Sequence, residues 1–292
     1  MIVVFGSINL DLIFALPAIP RPGETLLGPA ARIEPGGKGA NQAVAAARDG
    51  ANVAMVGAVG ADALAEGALA LLTEAGVDLS RVARVDAATG CAAIAVDPEG
   101  RNAIAVGSGA NVLVRADQVA AALLGPGSTL LLQMEVPAAE NAALIRRARA
   151  AGARVILNLA PAAELAEAAL AALDLLVVNE TEAAWLAARL GCGAAAGDLA
   201  ARLAIGVIRT LGGEGAEYAG PEGAWSQPAM AVAVRDTTAA GDCFLGVLAA
   251  ALDRGIGLRA AMARAGMAAG LACTRAGSQG SLPRAAEIDA VA

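Results

Sequence analysis

Short apolar runs at residues 1–5, 51–56, 129–132, 154–157, 175–178 and 206–209 are bounded by Gly, Asn or Asp. Apolar side chains fill nearly every position of these runs, the pattern of strands buried on both faces. Between them, residues 39–49, 64–75, 138–151, 180–189 and 198–204 read as helices. This alternation predicts an α/β fold, a doubly wound and mostly parallel sheet flanked by helices. The stretches 240–253 and 258–274 continue as helices with no strand between them.

Two segments break the alternation. Residues 12–33 hold Pro17, Pro20 and Pro22 followed by Gly23-Glu24-Thr25, and residues 89–106 read as a hairpin, 91–96 and 102–106, turning at Asp97-Pro98-Glu99-Gly100. Such strands fit poorly into a doubly wound core. They predict a small β lid on one domain that spans 1–292.

Aromatic residues make up only 2% of a chain that is 57% hydrophobic, so Ala, Leu and Val must do the packing. The net charge of −7, with basic residues scattered, argues against a nucleic-acid surface. No uninterrupted apolar run reaches the roughly 18 residues of a membrane span. Residues 1–5 lead into Gly6-Ser7-Ile8-Asn9 and Asp11 without the basic start of a signal peptide. Cys91, Cys192, Cys243 and Cys273 show no C-x-x-C spacing, so the chain is expected in the reducing cytoplasm. Histidine is absent, which excludes Ser-His-Asp hydrolysis, His-ligated zinc and an imidazole base.

Five stretches can carry chemistry. Asp236-Thr237-Thr238-Ala239-Ala240-Gly241-Asp242 opens a helix, where small residues and free amides make an anion site. A carboxylate there, Asp242, suits proton removal from an attacking hydroxyl; an ordinary N-cap is the alternative. Gly36-Gly37-Lys38-Gly39-Ala40-Asn41-Gln42-Ala43 is a glycine-rich turn into a helix, neither a Walker A loop nor G-x-G-x-x-G. Asn9 and Asp11 lie just past the first strand, and Glu135 follows the strand at 129–132, the topological position where α/β sheets bind ligands; an Asx turn explains Asn9 and Asp11 as well. Asn179-Glu180-Thr181-Glu182 reads either as a capping box or as an Asn–Glu pair holding phosphate and magnesium-bound water. Thr210-Leu211-Gly212-Gly213-Glu214-Gly215 offers backbone amides to phosphates.

In this order, together with Pro22-Gly23-Glu24-Thr25, Asn158 to Pro161 and Thr274-Arg275-Ala276-Gly277, these stretches resemble the ribokinase branch of the phosphofructokinase B carbohydrate-kinase family over nearly the whole chain. The resemblance implies a ribokinase-like fold and transfer of the γ-phosphate of ATP to the 5-hydroxyl of D-ribose, with Asp242 as base and Ala240, Gly241 and Asp242 as the anion hole. It places Asn9, Asp11, Gly37, Lys38, Asn41 and Glu135 on the sugar, with Ala92 and Ile94 covering it from the lid. Asn179, Glu182, Thr210, Leu211, Gly212, Gly213, Glu214, Gly215, Gly241 and Gly266 then face the nucleotide. Asp236, Thr238, Ala272, Arg275, Gly277 and Ser281 match a loop for activating potassium; the plain alternative is that Asp236 caps a turn and pairs with Arg275. The resemblance also implies magnesium with ATP, a pentose substrate, and a homodimer formed through the lid strands. A sister kinase for deoxyribose, fructose or a nucleoside would keep the same catalytic set. An inactive sugar or nucleotide sensor is the alternative from another class, and the intact Asp242 argues against it. A nicotinamide dehydrogenase would need a G-x-G-x-x-G turn that Gly6-Ser7-Ile8 does not provide.

Overall fold

A computed structural model describes residues 1–99 and 101–292. Gly100, the last residue of the turn expected at 97–100, lies outside the described residues. The strands are β1 (Ile2–Phe5), β2 (Asn9–Ala15), β3 (Ala31–Gly36), β4 (Val53–Gly60), β5 (Asp78–Val85), β6 (Gly90–Val96), β7 (Asn102–Gly107), β8 (Thr129–Leu132), β9 (Arg154–Asn158), β10 (Leu175–Asn179), β11 (Gly206–Thr210), β12 (Ala216–Gly220) and β13 (Gly223–Gln227). The helices are α1 (Lys38–Arg48), α2 (Ala63–Glu74), α3 (Ala138–Ala150), α4 (Glu167–Leu170), α5 (Glu180–Leu190), α6 (Ala196–Leu203), α7 (Ala240–Asp253), α8 (Leu258–Cys273) and α9 (Ala285–Asp289).

Nine strands form one sheet in the order β13-β12-β11-β10-β9-β8-β1-β4-β5. All pairs are parallel except β11–β12 and β12–β13. Strand β1 lies between β4 and β8, with Ile2 opposite both Val53 and Thr129. The chain winds one way from β1 and the other way from β8, which makes the carboxyl ends of these two strands the switch point where such sheets bind ligands. Alternate β1 residues enter different cores: Ile2 and Val4 pack with α1, α2, α7, α8 and α9, and Val3 and Phe5 with α3, α4, α5 and α6. The doubly wound, mostly parallel architecture is as expected.

The Ala bias has a local purpose. Helices α1 and α7 pack through Ala43, Ala45 and Ala46 against Gly246, where a Cβ would overlap Ala45 Cβ and Gln42 O. So close an approach lets short amide side chains of α1 reach the first turn of α7.

A second sheet, in the order β3-β2-β6-β7, holds the strands from which a lid is expected. It begins at Asn9, earlier than the expected residue 12, so Asn9 and Asp11 are lid-strand residues that do not form an Asx turn. Asp62 holds its root: the carboxylate caps α2 by accepting from Leu64 N and Ala65 N, and accepts from Thr89 N at 2.6 Å and Thr89 Oγ1 at 2.7 Å. Strand β5 and the hairpin β12–β13 were not foreseen. The first is rich in Asp, Ser and Arg, and the second in Gly, Ala and Glu, so neither shows an apolar run.

Candidate active site

The glycine-rich turn delivers α1 to the switch point. Gly37, its N-cap, sits at φ 88°, a conformation open to glycine, and no side chain of the turn caps the helix. Glu135, beyond β8, does so from across the sheet: its Oε2 accepts from Lys38 N at 3.0 Å and from Ser7 Oγ at 2.5 Å. Ser7 in turn accepts from Gly39 N and Ala40 N. The loop after β1, the start of α1 and the end of β8 thus become one rigid corner.

Asp242 lies in the first turn of α7 and is buried. Asn41 Nδ2 donates to its Oδ2 and Gln42 Nε2 to its Oδ1, both at 2.9 Å. Ala239, the N-cap, takes a left-handed φ of 58°, a strained state for a residue with a Cβ. Of the three expected anion-hole amides, Ala240 N donates to Thr237 O at 3.2 Å and closes the turn. Those of Gly241 and Asp242 have no acceptor among the described residues, so of the three expected amides these two are unengaged. Both amides and the Asp242 carboxylate meet at one helix end.

The lid supplies the opposite wall. In register, Asn9 lies beside Gly36 and Gly90, Asp11 beside Glu34 and Ala92, and Ile13 beside Ile94, so these residues share one face. Asp11 Oδ1 is buried without a partner among the described residues. Burial first, then the negative charge of Glu135, Glu34 and Asp242, raises the Asp11 pKa to about 7. Lys38 feels the same cluster: the charge of Asp242 foremost, with Glu135, Glu182 and Asp11, raises its pKa against the cost of burial. The Lys38 ammonium has no ion pair within 4.0 Å among the described residues. It is a cation held by surrounding charge and still free to bind.

On the nucleotide side, Asn179 and Glu182 form the capping box, with Asn179 N donating to Glu182 Oε2 and Glu182 N to Asn179 Oδ1, both at 2.8 Å. Glu182 Oε1 has no protein donor among the described residues, and burial foremost raises this carboxyl's pKa. The structural reading of these residues therefore holds, with one carboxylate oxygen to spare. In the loop after β11, the amides of Leu211, Glu214 and Gly215 bond within the loop, which leaves those of Gly212 and Gly213 without acceptors among the described residues. Thr210 Oγ1 donates to Val178 O, and Gly266 on α8 borders open space.

Asp236 accepts from Thr238 N and Thr238 Oγ1 on one oxygen and from Gly277 N on the other. Burial pushes this carboxyl up, but the bonds from Thr238 and Gly277 outweigh it and hold the pKa below the ordinary Asp value. Arg275 pairs with Glu287, not Asp236. The Ala272 carbonyl accepts from Arg275 N, and Ser281 Oγ donates to Ser278 O at 2.8 Å, which leaves each oxygen a lone pair. Among the described residues no donor meets the carbonyls of Thr238, Arg275 and Gly277. These three carbonyls lie in the two backbone segments that Asp236 draws together, and all are oxygen donors, the ligand type a monovalent cation takes.

The region between β1, β8 and the lid thus joins a buried carboxylate, free amides at a helix start, a lysine and an acidic lid strand. Comparison with known proteins places this arrangement. Residues 1–285 match the pattern of the pfkB family carbohydrate kinases. The chain belongs to the pfkB family of carbohydrate kinases. It is 34% identical to a ribokinase of Haemophilus influenzae over 294 residues, covering 96% of this chain and 94% of the other. The crystal structure of a ribokinase from Thermotoga maritima matches at TM-score 0.91 and 31% identity, covering 99% and 98% of the two chains. An Arabidopsis thaliana ribokinase complexed with ribose and ATP matches at TM-score 0.87 and 27% identity, covering 99% and 97%.

Several residues of this pfkB-family site were not foreseen. Asn111 donates to Asn9, Gln42 to Asp242 and Gln133 to Gln42. Glu34 accepts from Ser278 N at 3.1 Å and ties the lid to the cation loop. Gln42 stood inside the recognised turn, and its place one residue from Asn41 was the single available signal.

Proposed function

We propose that this chain is an ATP-dependent ribokinase, transferring the γ-phosphoryl group to the 5-hydroxyl of D-ribose. The observation that carries the reading is the buried Asp242 carboxylate beside the unengaged amides of Gly241 and Asp242 at the start of α7. Likeness to a ribokinase that holds ribose and ATP supports both substrates.

Asn9, Asp11, Lys38 and Asn41 hold the sugar, with Glu135 fixing the corner from which Lys38 projects. Ala92 and Ile94 cover it from the lid. Asp242 accepts the hydroxyl proton as the sugar oxygen bonds to the γ-phosphorus and the bond to the ADP oxygen breaks. The Gly241 and Asp242 amides stabilise the charge on the transferred group, and Lys38 adds a positive charge. Phosphoryl transfer asks for alignment and charge stabilisation above all, and the lid excludes the water that would otherwise hydrolyse ATP. Asn179, Gly212, Gly213 and Gly266 line the nucleotide side.

Magnesium carried with ATP neutralises phosphate charge, and the spare oxygen of Glu182 suits one of its waters. A potassium ion at Asp236, Thr238, Arg275 and Gly277 would fix the backbone that leads into α7. Ile104 and Val106 lie on the site-facing side of the lid, 55% and 50% exposed, so a second lid packing there gives a homodimer. No helix among the described residues is long and apolar enough to cross a membrane, and dependence on ATP suits the cytoplasm.

Coupled ADP release, measured over ribose, deoxyribose, fructose and nucleosides, tests the reading. Ribose should give the highest kcat/KM, and product analysis should place the phosphate on the 5-oxygen. A higher kcat/KM for any other member of the panel moves the assignment to that sugar.

A further inference from the structure

We propose that Gln42 is a positioning residue for Asp242, with its amide carbonyl held in place by Gln133. This rests on Asp242 being the base. Gln42 and Gln133 are both fully buried. Gln42 Nε2 donates to Asp242 Oδ1 at 2.9 Å, and Gln133 Nε2 donates to Gln42 Oε1 at 2.7 Å. A carboxylate only accepts, so it obliges Gln42 to turn its NH₂ toward Asp242 and its carbonyl oxygen toward Gln133, which must then donate. Gln133 Oε1 is left buried with no partner among the described residues, against Gly6, where any Cβ would overlap it. An orphaned buried acceptor is costly, so a packed core would favour an apolar residue here unless the amide served another end.

The end is the carboxylate plane. Asn41 holds Oδ2, and it also faces the sugar site. Gln42 holds Oδ1 from the buried side and touches no substrate position, so it restrains the base whether or not sugar is bound. Asn141 Nδ2 donates to the Gln133 backbone carbonyl at 2.7 Å, which anchors the row on α3. The line Asn141–Gln133–Gln42–Asp242 thus runs from the far helix layer, past the end of β8, to the Asp242 carboxylate. Gln42→Met keeps the volume and removes the donor; Gln133→Met removes the bond that holds the Gln42 carbonyl, so the Gln42 side chain is free to swing away from the base.

Both variants and Asp242→Asn are purified, checked for an unchanged melting profile and assayed with ribose and ATP. Each Met variant should lose about ten- to a hundredfold in kcat, the worth of a hydrogen bond to a charged group, with KM for both substrates within about twofold. In the Asp242→Asn background, Gln42→Met should change the residual rate by less than about twofold, because its effect passes through the carboxylate. Unchanged kcat in a folded Gln42→Met, or equal losses in both backgrounds, overturns the proposal. If Gln42→Met does not fold, Gln133→Met decides by the same cycle. An active Asp242→Asn would instead sink the base assignment itself, a separate outcome.

Discussion

Asn111 Nδ2 donates to Asn9 Oδ1 at 2.7 Å, and Ile8 N donates to Asn111 Oδ1 at 2.9 Å. The backbone N–H can only donate, so it fixes the Asn111 amide, and that amide consumes the Asn9 oxygen. Asn9 is therefore left with N–H donors to offer, beside Asp11, which offers acceptors. On the proposed function the pair would read a sugar hydroxyl pattern by polarity as well as by shape.

Asn111→Asp keeps the shape and the bond from Ile8 but cannot donate to Asn9. KM for ribose should rise about tenfold with KM for ATP unchanged, the cost of one misdirected buried hydrogen bond. Steady-state kinetics with each substrate varied in turn will show it; equal rises for both would remove Asn111 from sugar recognition.

The amides on Asp242 show how much of the site the sequence could display. Asp242 and the Gly36–Ala43 turn were legible because each is a local pattern, a helix start with small residues. Gln42 and Asp242 are 200 positions apart, and Gln133 and Gln42 are 91 apart, so nothing local marks their bonds. The same holds for Glu34, whose meaning comes from lying opposite Asp11 across a lid pair. The parallel core strands showed as apolar runs because helices cover both faces, whereas β5 and β13 are the sheet's edge strands, β12 lies beside β13, and all three carry polar or small residues. Which amides at the start of α7 and in the loop after β11 stay unengaged was not legible, since sequence cannot tell which amides a turn uses on itself.

Asp11 predicts an unusual pH response. Unfolded, it titrates near 3.8; folded, at about 7. Between these values the native state keeps a proton that the unfolded state has lost, so the Asp11 contribution to stability falls as pH rises through this window and stays low above it. Asp11→Asn, which cannot ionise, should gain in Tm relative to the parent between about pH 4 and pH 8. A Tm difference that does not change with pH would contradict the raised value. Because the carboxylate accepts from sugar hydroxyls, the parent's Kd for ribose should tighten over the upper half of the same range, and the variant's should stay flat.

Asp242→Asn keeps the shape of the side chain and removes the base, although its NH₂ then faces one of the two donors, Asn41 or Gln42. The fold and ATP affinity should persist while kcat drops by about two to four decades, the span of a general base. A variant with more than about a third of parent activity would take Asp242 out of that role.

Ile104 and Val106 bear on assembly, since both lie exposed on the face of the lid that carries Asp11 and Ala92. A charge placed there would be buried unpaired in a lid-to-lid dimer. Sedimentation should find the parent as a dimer and Ile104→Glu/Val106→Glu as a monomer. A parent that sediments as a monomer, or a double variant that stays dimeric, places the interface elsewhere.

The cation loop gives the last test. Asp236 is bound to Thr238 and Gly277, and the free carbonyls of Thr238, Arg275 and Gly277 belong to the two backbone segments that its carboxylate draws together. Thr238 stands one residue before Ala239, whose left-handed backbone starts α7, so an ion held here would steady the turn that aims the Gly241 and Asp242 amides. The effect should fall on kcat, because those amides meet charge that develops in the transition state. Activity in potassium should exceed that in a large organic cation at equal ionic strength, with KM for ribose little changed. Asp236→Ala should abolish the difference without unfolding the protein. Equal rates with and without potassium would leave Asp236 as a turn-capping residue only and would not touch the assignment of Asp242.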